Sequence, residues 1–267
     1  MHPVRLRLLQ LWNTFKPQSY RPVIPIDVNH EALLHDIADA TGCPLQRIRD
    51  LWGAYQNLVE SRDHIEMLGQ IGTTSSEEAF VLHCLLDIFE PPNLVEIGAY
   101  HGGSTRRILD SIEQLQLKTR VTTYDIVDIV RYFRPDEAEL RLQDVTESVE
   151  RDILVCFEPG IIYLDAHPWQ LLRNVLRGVL KRDDWILAIH DCSPILCNPK
   201  MTIPKDEPRL ISMRTGHWER HVLAEAFGLQ DPLDARLDKL ETDNHILRIF
   251  ATQHGLALIM PKALAGG

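Results

Sequence analysis

Two apolar runs in this chain end in acid and histidine. GIIYLDAH, residues 160–167, carries Asp165 and His167 at its end; WILAIHD, residues 185–191, ends in His190 and Asp191. Carboxylate and imidazole both offer lone pairs to a proton or a cation. Four titratable groups gathered at two buried strand ends either repel or share something. A divalent metal resolves the conflict by supplying positive charge and ordered coordination. A neutral imidazole also titrates near working pH, which suits His167 to removing a hydroxyl proton.

A second stretch, VEIGAYHGGST at residues 95–105, raises a different chemistry. Glu96 sits at the end of a buried-type run, where a carboxylate is expensive unless something compensates it. A ligand with an ammonium group, directly or through water, would do so. A dinucleotide loop needs GxGxxG, with its second glycine bare for a pyrophosphate. Here Tyr100 stands at that second position, between Gly98 and Gly102. There is no GK[ST] for a P-loop. The loop suits a nucleoside-like ligand and not a diphosphate.

For these groups to meet, the chain must place them on one edge. From residue 93 onward the pattern alternates: NLVEIG, RVTTYDIV, LRLQDV, GIIYLDAH and WILAIHD read as strands, with amphipathic helices such as STRRILDSIEQL and WQLLRNVLRGVL between them. That alternation predicts βαβ units and a mostly parallel, doubly wound sheet. HILRIFATQHGLALIMP predicts an antiparallel hairpin at the C-terminal edge. In such a sheet ligands bind beyond the carboxyl ends of the strands. Before the strands, TTSSEEAFVLHCLLDIF opens with a hydroxyl cap and acids in its first turn, a helix start. We expect residues 1–70 to be a helical N-terminal extension, residues 71–267 the main domain, and the proline-rich stretch within 192–215 a lid.

The net charge of −10 argues against a general nucleic-acid binder. Five scattered cysteines without a CxxC pair suit a reducing, cytoplasmic setting. No apolar run is long enough to cross a bilayer, so no stable membrane insertion is expected. The basic, apolar first seventeen residues are expected to pack on their own domain or on a neighbouring copy, giving a homo-oligomer through the N-terminal helices.

VEIGAYHGGST resembles motif I of the class I S-adenosylmethionine-dependent methyltransferases, where an acid precedes a GxxxG loop holding the methionine half of the cofactor. The resemblance implies a Rossmann-like, seven-stranded sheet. It implies cofactor contacts from Glu96, Gly98, Tyr100, Gly102 and Ser104, from Asp125 on the ribose hydroxyls, and from Asp144 near the adenine. The two acid-histidine ends are similar to those of the metal-dependent O-methyltransferases, in the sugar- and macrolide-modifying branch and the catechol type. That likeness implies Asp165, His190 and Asp191 as ligands of Mg²⁺ or Mn²⁺, and His167 as the base for a small-molecule acceptor. His190 departs from the family, which has a carboxylate or amide there. Imidazole is a poorer ligand for Mg²⁺ than for Mn²⁺, Fe²⁺ or Zn²⁺. Two other readings stay open: an Fe(II)- and oxygen-dependent hydroxylase on the same fold, and a non-catalytic cofactor-binding subunit.

Overall fold

The computed structural model describes residues 28–61, 74–199 and 217–265. The segments 1–27 and 200–216, which hold the amphipathic start and most of the expected lid, lie outside the described residues. Among the described residues, three helices come first: α1 (His30–Thr41), α2 (Leu45–Ser61) and α3 (Ser76–Phe89). Then follow β1 (Asn93–Ile97), α4 (Gly103–Gln114), β2 (Arg120–Asp125), β3 (Glu139–Leu142), β4 (Ile161–Leu164), α5 (Trp169–Val179) and β5 (Ile186–Ile189). The chain ends with α6 (Glu219–Ala226), β6 (Lys239–Glu241), β7 (His245–Phe250) and β8 (Leu256–Pro261). A π-helical turn at Glu150–Leu154 and a 3₁₀ turn at Ala235–Asp238 complete the description.

The start of α3 follows from its sequence. Ser75 accepts from the Glu78 amide, and the Glu78 carboxylate accepts from the Ser75 amide at 2.9 Å, a reciprocal cap. The strands form one sheet in the order β3-β2-β1-β4-β5-β8-β7-β6. β1 to β5 run parallel, while β8, β7 and β6 pair antiparallel. This is the doubly wound, mostly parallel sheet with a C-terminal hairpin that the sequence predicts. It has eight strands where seven were expected. The extra one, β6, is a three-residue edge strand of sequence KLE, too short and too polar to give an apolar alternation.

Side chains alternate across the sheet. On one face Leu94, Ile161, Tyr163, Ile186 and Ala188 join a core with α1, α2, α3 and α4. On the other, Val95, Ile97, Ile162, Leu164, Leu187 and Ile189 pack with α5 and α6. β1, β4 and β5 are buried along their whole length, which is why they read as continuous apolar runs.

Register then positions the polar ends. Ile97 pairs with Leu164, and Leu164 with Ile189, so the three central strands stop level. Gly98, Asp165 and His190 are the next residues of each strand, side by side. β8 runs antiparallel to β5, with Ile189 opposite Ala257. Its entry turn, Thr252 to Gly255, therefore lies beside the end of β5. The turn closes through Cys192 N–H to the Gly255 carbonyl and Ser193 N–H to the His254 carbonyl, both at 2.7 Å. Gly255 has φ +79°, and a Cβ there would lie 2.2 Å from the Ser193 nitrogen, so only glycine fits.

Candidate functional site

The glycine-loop side is closed on itself. Glu96 is fully buried, and its two carboxylate oxygens accept from the Ser104 and Thr105 hydroxyls in the first turn of α4. These hydroxyls provide the compensation that the sequence reading assigned to a ligand ammonium. Burial pushes the Glu96 carboxyl up, with the nearby Asp165 charge adding to it and the hydroxyls opposing, to about 7. Gly98 has φ +100°, and a Cβ on it would lie 2.3 Å from the Asp165 carbonyl oxygen. Its bareness is thus required by the neighbouring strand end, whatever ligand the loop takes. Gly102 caps α4.

Asp125, at the end of β2, accepts from the Tyr100 amide at 2.8 Å and the Val127 amide at 2.9 Å. Each oxygen keeps a further acceptor position. Tyr100 itself has φ +48° and a 45% exposed side chain, so the loop displays its ring outward. Asp144, two residues past β3, accepts from the Thr146 amide at 2.9 Å.

The other side is a cluster of four carboxylates and four histidines. Asp191 is its hub, held at φ +62° at the end of β5. Its Oδ1 lies 3.2 Å from His190 Nδ1 and 3.6 Å from His254 Nδ1; its Oδ2 lies 3.2 Å from His217 Nδ1 and 3.6 Å from His167 Nε2. Asp165 Oδ1 is 3.1 Å from His190 Nδ1. Two buried glutamates stand behind. The His190 ring, through Nε2, donates to Glu78 at 3.1 Å, and His167, through Nδ1, donates to Glu219 at 2.7 Å. Glu78 also accepts from the Thr252 hydroxyl at 2.8 Å and the His254 amide at 3.0 Å.

The charges follow. Burial raises the Glu78 carboxyl, but His190, His254 and the Ser75 amide outweigh it and hold it at about 2. Burial lowers His167, yet the Glu219 hydrogen bond and charge, with Asp191 and Asp165, lift it to about 9. Its ring is 39% exposed, so solvent screens part of that shift. Burial likewise opposes charge on His190, and the surrounding carboxylates push its pKa well above the ordinary value. Burial raises Asp191 while the adjoining His190, His217 and His167 rings drive it well below the usual range.

No family model and no curated relative matches this chain. Similarity appears among solved structures. An O-methyltransferase from Bacillus cereus with S-adenosylhomocysteine is 15% identical, with 78% of this chain and 90% of that one aligned and a TM-score of 0.48. A Podospora anserina methyltransferase, also with S-adenosylhomocysteine, is 14% identical over 79% and 87%, TM-score 0.46. CmcI with Mg and S-adenosylmethionine is 17% identical over 65% and 67%, TM-score 0.39. At such low likeness the chemistry has to come from this chain's own side chains.

Those side chains divide as follows. Asp165, His190 and Asp191 come together as expected, and His167 joins them. Four participants escaped the sequence reading: Glu78, Glu219, His217 and His254. Glu78 is also the cap acid of α3. Trp218 is 1% exposed and packs in the core beside α6. The donor set fits a divalent cation. The buried His190 Nδ1 faces two carboxylate oxygens, yet makes no hydrogen bond, as a ligand nitrogen waiting for an ion would.

Proposed function

We propose that this chain is an S-adenosylmethionine-dependent methyltransferase, transferring the methyl group to a hydroxyl of a small molecule or sugar with help from a divalent metal. One observation carries the reading. The acid-glycine loop and the carboxylate cluster share one edge of the sheet, with the Asp165 amide donating to the Ile97 carbonyl at 2.9 Å, directly before Gly98. A donor over the loop and an acceptor at the cluster would be neighbours, and positioning is most of what this reaction needs.

In this reading Gly98 to Gly102 hold the methionine half, Asp125 accepts from the ribose hydroxyls, and Asp144 lies toward the adenine. Asp165, His190 and Asp191 hold the metal, which would lower the pKa of the acceptor hydroxyl. The carbon–sulfur bond breaks as the carbon–oxygen bond forms, and sulfur keeps the electron pair. The hydroxyl proton leaves to solvent. His167, the base expected from sequence, has both ring nitrogens turned to carboxylates, Glu219 at 2.7 Å and Asp191 at 3.6 Å. We therefore assign it no proton-abstracting role. The N-terminal helices and residues 192–215 would select the acceptor.

Calorimetry with S-adenosylmethionine tests the reading: one molecule should bind per chain. Asp165→Ala should keep that affinity and lose turnover of hydroxylated acceptors. Absence of cofactor binding sinks the proposal, and binding with no metal-dependent turnover for any acceptor supports a non-catalytic subunit instead.

A further inference from the structure

The cluster around Asp191 is built twice. On the Oδ1 side stand His190 and His254; on the Oδ2 side stand His217 and His167, with the same pair of spacings, 3.2 and 3.6 Å. On each side one histidine is backed by a buried glutamate on its other nitrogen: Glu78 behind His190 and Glu219 behind His167. A carboxylate behind an imidazole fixes the proton on the far nitrogen and turns the near lone pair toward a cation, the common outer arrangement of metal-bound histidine.

The polar atoms that face inward are left without hydrogen bonds. His190 Nδ1, His217 Nδ1 and Glu219 Oε2 are all buried atoms that lie close to opposite groups of the cluster yet make no hydrogen bond, in side chains 5%, 31% and 2% exposed. Orphaned atoms of this kind call for an occupant. The ligand atoms of His190, Asp191 and His254 lie within 4.8 Å of one another, and so do those of His167, Asp191 and His217. Among the described residues, the ion-pair partners of Asp165, Asp191, Glu78 and Glu219 are all histidines. No lysine or arginine among them supplies fixed positive charge. The left-handed backbone at Asp191, costly for a side chain with a Cβ, sets its carboxylate between the two sides.

We propose that Asp191 bridges two divalent transition-metal ions, the first held with Asp165, His190 and His254, the second with His167, His217 and Glu219. The first position belongs to the functional reading above; the second lies outside it. Imidazole-rich donors select Mn²⁺, Fe²⁺, Co²⁺ or Zn²⁺ over Mg²⁺.

Equilibrium dialysis of the chelator-stripped protein against Mn²⁺, with metal counted by mass spectrometry, reads the stoichiometry. Co²⁺ absorption reports histidine ligation independently. Two ions should bind per chain. His217→Ala should retain one, and Glu219→Gln should weaken the second ion by about tenfold to a hundredfold while leaving the first. Melting of the stripped variants shows that they fold. One ion in the parent protein, or two undiminished in His217→Ala, overturns the second position alone. No ion at all overturns it and also removes the metal from the proposed function, while cofactor binding is judged separately.

Discussion

The two halves of this sheet edge handle buried charge in opposite ways. Around the end of β1, Glu96 sits with two hydroxyls and a pKa lifted to about 7, so its charge is partly suppressed by protonation. Around the end of β5, Asp191 and Glu78 are driven down and His190, His167 and His217 up, so charge is kept and mutually balanced. In the first half the buried Glu96 carboxylate already has both oxygens hydrogen-bonded by the protein. The second carries orphaned nitrogens and a carboxylate oxygen that face one another. Where a fold has already satisfied its polar groups it offers shape; where it has not, it offers coordination.

Substitutions should separate the halves. Asp191→Asn removes the hub of the charged half. It should abolish metal binding and cut methyl transfer by about a thousandfold, as loss of metal stabilisation worth several kcal/mol implies. Binding of S-adenosylhomocysteine should survive, and calorimetry would reveal any coupling if it did not.

Glu96→Gln tests the suppressed half through stability. An acid whose pKa is raised in the fold binds more protons folded than unfolded. Its contribution is present below its ordinary pKa, near 4.5, and is lost as pH rises toward about 7. The ceiling on that loss is about 3 kcal/mol at 1.36 kcal/mol per unit. Thermal melts from pH 5 to 8 should show the parent falling relative to Glu96→Gln; parallel curves would contradict the suppressed charge.

The smallest effect belongs to Glu78→Gln. A neutral amide still caps α3 but no longer fixes the His190 proton. Metal affinity should fall by about tenfold to a hundredfold, read by competition with a chelating dye.

Much of the charged half was legible because β4 and β5 are buried on both faces. Their apolar runs stop abruptly at Asp165 and His190, and a polar residue there announces a site. Glu78 hid behind a reciprocal cap that explains an acid at that position without further purpose. His254 follows only from β8 lying antiparallel beside β5, a long-range pairing no local pattern encodes, although its place in the predicted hairpin turn was a usable signal. His217 and Glu219 enter from beyond the 192–215 stretch, so spacing along the chain gave no link to Asp191. In the loop, the glycines were legible but their cause was not: contact with the Asp165 backbone is invisible without the β1–β4 register.

The most direct test of the proposed shared site is a crystal structure with S-adenosylhomocysteine. The account predicts the ligand over residues 98–102, with its sulfur turned toward Asp165 and Asp191 and its ribose on Asp125. Density for the ligand elsewhere, or with its sulfur facing away from that cluster, would contradict it.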